Sequence, residues 1–148
     1  MRASLLLTEK GLEVPAHLTC PAREISSTYN FIVDTGSERS LLAWQDAAKA
    51  GIDIEDLPSH KRPLSGFGGR AEAKELSGLF YVTLTSDDKE LLTVEMKEGL
   101  LIWRPSRKKS QRYVTIPPVS ILGRDFMKSS GFTLVVNLSK DFYYFEME

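Results

Sequence analysis

The chain has 148 residues, 19 Lys and Arg against 20 Asp and Glu, a formal net charge of −1, and 42% hydrophobic residues. The charge balance excludes a global electrostatic drive toward nucleic acid or an anionic membrane, and the apolar content excludes a disordered chain. The single cysteine, Cys20, excludes an intrachain disulfide and fits a reducing compartment. The length suits one domain over residues 1–148, with an adequate core. From the amino terminus, Ser4–Leu7 and Val14–Thr19 are short apolar segments separated by Lys10-Gly11, which predicts an opening hairpin. The Leu5-Leu6-Leu7 run is too short for a signal peptide, and no segment is long enough to span a bilayer, so a cytoplasmic protein without a membrane partner is expected.

Next comes Phe31-Ile32-Val33-Asp34-Thr35-Gly36-Ser37. Three apolar residues of high β-propensity predict a buried strand, and Asp34 emerges where that strand leaves the core. Gly36 permits a tight turn, and the Thr35 and Ser37 hydroxyls are within reach of the carboxylate. A carboxylate on a turn held by a rigid strand is placed for chemistry. A hydroxyl of Ser37 donating to Asp34 would favour the ionised form and move a working pH downward.

Ser40 is placed to cap a helix from Leu41 to about Ala50, which Gly51 would end. Ser65-Gly66-Phe67-Gly68-Gly69-Arg70 reads as a glycine-rich hairpin tip with one aromatic. Leu79–Thr85 and Leu91–Val94, joined by Ser86-Asp87-Asp88-Lys89, predict strands of a central sheet. Arg104–Arg112 holds five cations in nine residues and reads as a solvated loop, because no aromatic interleaves them. Val119–Leu122 is a second apolar strand, ending in Gly123-Arg124-Asp125. One or two helical turns from Arg124 to Ser129 follow, ended by Gly131, and then two strands at Phe132–Asn137 and Phe142–Phe145.

In order, these are a turn carrying an acid, a glycine-rich flap, and an apolar-apolar-Gly strand followed by Arg. That order, over Tyr29 to Met127, resembles the retropepsin-like aspartic proteases, the single-lobed relatives of the retroviral enzymes. The resemblance implies an all-β lobe with one or two short helices, closed into a barrel. It implies Asp34 as the catalytic residue, Thr35, Gly36 and Ser37 as the active-site turn, and Gly66, Phe67, Gly68 and Gly69 as the flap. Ile121, Leu122 and Gly123 would be the strand beside the catalytic turn. Glu38 and Arg124 would form an ion pair bracing it.

Proteolysis in this family takes two carboxylates that share a proton, and this chain has one Asp-Thr-Gly and no Asp-Ser-Gly. The resemblance therefore implies a homodimer with an Asp34/Asp34 dyad that activates water to hydrolyse a peptide or protein substrate. Relatives join chain termini in a shared sheet, to which Phe142–Glu146 is the expected contributor.

No cofactor or metal is expected: His17 and His60 are far apart and lack a companion cysteine. Cys20 reads as an inert thiol, and Trp44 and Trp103 as packing anchors. Two other readings stay open, a catalytically silent retropepsin-like domain for dimerisation or peptide binding, and an unrelated β-rich binding protein.

Overall fold

The computed structural model describes residues 1–62, 64–65, 70–105 and 118–147. In chain order its strands are β1 (Arg2–Ser4), β2 (Leu6–Thr8), β3 (Gly11–Cys20), β4 (Ile25–Val33) and β5 (Leu41–Ala43), followed by helix α1 (Trp44–Lys49). Then come β6 (Leu64–Ser65), β7 (Arg70–Leu76), β8 (Phe80–Thr85), β9 (Leu91–Met96), β10 (Leu100–Pro105) and β11 (Ser120–Leu122). Helix α2 (Arg124–Ser130), β12 (Thr133–Asn137) and β13 (Phe142–Glu146) complete the described chain. Nothing among the described helices is long and apolar enough to cross a membrane.

The main sheet runs β6-β7-β10-β5-β11-β4-β3-β8-β9, with β2 added to β3. The all-β class holds, but the barrel is not closed. The two ends of the path, β6 and β9, do not pair with each other, and α2 packs against β9. The β8–β9 hairpin forms as expected around its polar turn, yet it lies at one end of the sheet rather than its centre.

Burial explains the middle of the sheet. Leu100-Leu101-Ile102-Trp103 is apolar without alternation because both faces of β10 are covered. Leu100 and Ile102 enter the larger core with Phe31, Val33, Leu42 and Phe126. Leu101 and Trp103 enter a smaller cluster with Ile32, Leu41, Ala73 and Ile121. Trp103 is fully buried, packs edge-on against Trp44 at 5.4 Å, and donates its Nε1–H to the Val119 carbonyl at 2.7 Å. Both tryptophans are therefore packing anchors, and Cys20 is likewise fully buried.

One predicted element is corrected. The expected helix from Leu41 begins only at Trp44, because Leu41–Ala43 is a strand between β10 and β11. All three residues are buried there, so tertiary pairing overrides the helical preference of Leu and Ala. Ser120 Oγ accepts from Ala43 N–H at 3.0 Å and donates to Asp46 at 2.6 Å, which ties α1 to β11.

The opening hairpin is β2–β3, while β1 leaves for a second sheet of order β1-β13-β12. That sheet pairs Ala3 with Phe145 and Leu134 with Phe145. Phe145, Phe126 and Phe132 form a mutual aromatic cluster with centroids 5.8–5.9 Å apart, which fastens the sheet to α2. Within its own chain β13 pairs with β12 along Phe142–Glu146 and with β1 over Tyr144–Glu146.

Candidate active site

Asp34 stands where β4 ends, half-buried, while Thr35 and Gly36 are exposed. Its backbone N–H donates to the Leu122 carbonyl at 3.0 Å, continuing the parallel ladder that pairs Ser120, Ile121 and Leu122 with Phe31, Ile32 and Val33. The chain then reverses, with Ser37 N–H donating to the Asp34 carbonyl at 3.2 Å. Gly36 N–H donates to Asp34 Oδ1 at 2.8 Å, which aims the carboxylate. A Cβ on Gly36 would lie 3.1 Å from that same oxygen, so a side chain there would crowd the aimed group.

The Ser37 hydroxyl does not do what the sequence reading expected. It donates to the Arg39 carbonyl at 2.7 Å, so its proton goes to the turn's own backbone and not to Asp34.

Strand β11 and helix α2 hold the turn from below. Arg124 N–H donates to the Ser37 carbonyl at 2.8 Å and Asp125 N–H to the Glu38 carbonyl at 3.2 Å. The approach leaves no space at Gly123, where a Cβ would meet the carbonyls of Arg39 and Ser37 at 2.6 and 2.7 Å. These are backbone atoms on both sides, which explains glycine at this position.

The Glu38–Arg124 ion pair is not formed. The Arg124 guanidinium instead donates to the Thr35 carbonyl at 3.1 Å and the Gly36 carbonyl at 3.4 Å, bracing the turn through its backbone. Glu38 is exposed and contributes its carbonyl. The acid that binds the turn is the next residue along, Asp125. It accepts Ser40 N–H at 2.9 Å, the Ser40 hydroxyl at 2.6 Å and Phe126 N–H at 2.7 Å, and it faces Arg39 Nε at 3.7 Å. Ser40, fully buried, also accepts Gly123 N–H at 3.0 Å.

Sequence reasoning missed Arg39 and Asp125 and misassigned Ser40 as a helix cap. The available signal was an acid directly after Gly-Arg with a hydroxyl residue six positions beyond Asp34. A one-residue shift on each segment exchanges the expected pair for the observed one.

Strands β6 and β7 pair antiparallel through Leu64 with Ala71 and Ser65 with Arg70, forming the stem of the predicted hairpin. The flap residues Gly66, Phe67, Gly68 and Gly69 lie outside the described residues, as does most of the basic stretch. Arg104, at its start, pairs with Glu55 and with Glu72, and the Glu55 carboxylate is the first cause holding its guanidinium above the ordinary arginine range. That cation belongs to the wall of the sheet rather than to a solvated loop.

An acid at the end of a strand, a parallel second strand beside it, and a glycine where the two meet define a single-lobed acid-protease fold. By sequence the chain matches no protein-family model and no curated protein. By structure it is similar to a retropepsin-like aspartic protease from Rickettsia conorii, with TM-score 0.56 and 15% identity over 99% of this chain and 90% of that one. It is also similar to the EIAV protease solved with an inhibitor, with TM-score 0.50 and 19% identity over 88% of this chain and 98% of that one. A further similarity, at TM-score 0.47 and 13% identity over 90% of this chain and 94% of that one, is to the retroviral protease-like domain of Ddi1 from Leishmania major. The chain has the fold of the retropepsin-like aspartic proteases.

Proposed function

We propose that this chain is an aspartic endopeptidase that works as a homodimer, with the catalytic pair made of Asp34 from each copy. The observation that carries this reading is the Asp34 carboxylate, aimed by Gly36 N–H on a turn bonded to β11 and α2. The chain has one such turn. A lone carboxylate cannot act as acid and base in the same step, and a two-fold axis at Asp34 supplies the second.

Two aspartates at hydrogen-bond distance cannot both ionise, so the pair keeps one proton and titrates as a unit, which is the handling of aspartic proteases generally. The ionised member takes a proton from water as that water attacks the scissile carbonyl carbon. The protonated member donates to the carbonyl oxygen. The tetrahedral intermediate collapses when its nitrogen is protonated and the C–N bond breaks, with no covalent bond to the protein. Arg124 and Gly123 keep the turn in place through backbone contacts, and Thr35, Gly36 and Ser37 supply its shape.

Substrate lies extended under the β6–β7 hairpin, with Gly66, Phe67, Gly68 and Gly69 closing over it and excluding water. The chain acts as one domain over residues 1–148 in a reducing, cytoplasmic setting, in keeping with its lone buried thiol.

The test is cleavage of an unfolded protein from acidic to neutral pH by wild type and Asp34→Asn, with and without a statine-type transition-state analogue. The expected result is a bell-shaped profile, inhibition by the analogue, and loss of activity in Asp34→Asn with an unchanged fold. Hydrolysis by that variant at the wild-type rate rejects the assignment.

A further inference from the structure

Strand β9 ends the main sheet on one side, pairing with β8 and, among the described residues, with no second strand. Helix α2 packs beside it, and a cavity of about 690 Å³ lies between the two. One wall takes in every residue from Leu92 to Gly99, and the other is Asp125, Ser129, Ser130 and Phe132. Successive residues of a strand point to opposite faces, so a cavity that touches all of them runs along the strand's edge. That edge carries backbone N–H and C=O groups open to pairing.

The walls are acidic. Glu95, Glu98 and Asp125 line the cavity against a single cation, Lys97. Glu95, Glu98 and Lys97 enter no ion pair among the described residues. Asp125, whose side chain is 14% exposed, takes its hydrogen bonds from the uncharged donors of Ser40 and Phe126. Its cation, Arg39, stands off at 3.7 Å with Nε buried and unbonded, because the guanidinium also donates to the Glu98 carbonyl at 3.2 Å. A carboxylate that is mostly buried and only loosely matched by one cation has room for another.

We propose that this edge is a docking groove for a basic, extended segment of another protein, which adds as a strand to β9 and sets lysine or arginine side chains against Glu95, Glu98 and Asp125. Main-chain bonds along a strand edge hold such a segment whatever its sequence, and the carboxylates select its charge. Val94, Met96 and Phe132 offer apolar contact in the same groove. A second copy of this chain fits poorly, because it would bring the same acidic wall and like charges would meet.

The probe is a fluorescein-labelled hexapeptide alternating valine and lysine, titrated into the full chain carrying Asp34→Asn and read by fluorescence anisotropy. Saturable binding is expected, weakening as salt is raised. A counterpart with glutamate in place of lysine is expected not to bind. Nor is one N-methylated throughout, which keeps the charges but lacks the N–H donors a strand pair needs. Glu95→Lys is expected to weaken binding by at least about tenfold, by turning attraction into repulsion. Glu9→Lys, in the exposed turn between β2 and β3, is expected to leave it unchanged. Amide hydrogen exchange at Leu91–Met96 is expected to slow when the peptide is present.

Equal binding of the lysine and glutamate peptides, full binding of the N-methylated peptide, or full-strength binding to Glu95→Lys would each overturn the proposal. So would slowed exchange at another strand instead of β9, or no saturation up to about 1 mM peptide. Protection of β9 that grows with protein concentration in the absence of peptide would give the edge to a second copy and overturn it as well. Because binding is read on a chain without Asp34, failure of the protease reading leaves the groove standing, and failure of the groove leaves the protease reading standing.

Discussion

The Asp34 turn and the terminal sheet are built to different degrees of completion. Around Asp34–Ser40, backbone and side-chain groups find partners inside the chain: Gly36 aims the carboxylate, Arg124 takes two carbonyls, and Asp125 takes both the N–H and the hydroxyl of Ser40. In the terminal sheet, β13 pairs with β12 along its length and with β1 over Tyr144–Glu146, and β1 is capped by Asp87, but β12 has no second strand beside it among the described residues. The contrast teaches that the chain settles the geometry of its acid through its own backbone and side chains, while one strand edge of the terminal sheet is left without a partner strand among the described residues.

The comparison breaks most severely at Gly123. Alanine there would push a Cβ against two carbonyls that have nowhere to retreat, and the expected cost is about 3 kcal/mol. Chemical denaturation reads that loss directly, and a stability within error of wild type would mean the turn is looser than its contacts indicate. Val136→Ala, at the open edge, is expected to change monomer stability by less than about 0.5 kcal/mol.

A second cut separates two neighbouring acids. Asp125→Ala removes the acceptor for two bonds from buried Ser40 and leaves Arg39 facing no carboxylate, with an expected loss of about 2 kcal/mol. Glu38→Ala, whose side chain is exposed, is expected to cost less than about 0.5 kcal/mol. Charge reversal of Glu38 and Arg124 together is expected to give no rescue, since the two do not pair. Recovery of stability in that double variant would restore the ion pair and contradict the observed contacts.

The smallest effect is expected at Ser37. Its hydroxyl bonds to the Arg39 carbonyl, so Ser37→Ala should cost about 1 kcal/mol at most and leave the pH profile of activity where it was. A shift of the acidic limb toward higher pH would show that the hydroxyl reaches Asp34 during turnover.

Much of this arrangement was legible in the residues. An apolar run ending in Asp-Thr-Gly can only put its acid at a strand end, and Val119–Leu122 before Gly123 gives the matching strand with its close approach. Gly131 ends α2 in the left-handed conformation that its sequence position implies.

What stayed hidden depended on tertiary pairing. Leu41–Ala43 suits a helix locally and becomes a strand because β10 and β11 flank it. The brace under the turn was misread because Glu38-Arg39 and Arg124-Asp125 each offer both signs, and only the turn's path decides which side chains face inward. The open barrel and the pairing of β13 follow from which distant strands meet, information that no local pattern carries.

The proposed Asp34 pair is tested most directly by mixing subunits. Wild type and Asp34→Asn are combined in equal amounts, allowed to exchange, and assayed on an unfolded protein at constant total concentration. If each active site takes one Asp34 from each of two chains, activity falls to about one quarter of that of wild type alone, because only wild-type pairs are competent. Activity at about one half, in proportion to the wild-type chains present, would show that each chain works by itself and would contradict the dimeric site.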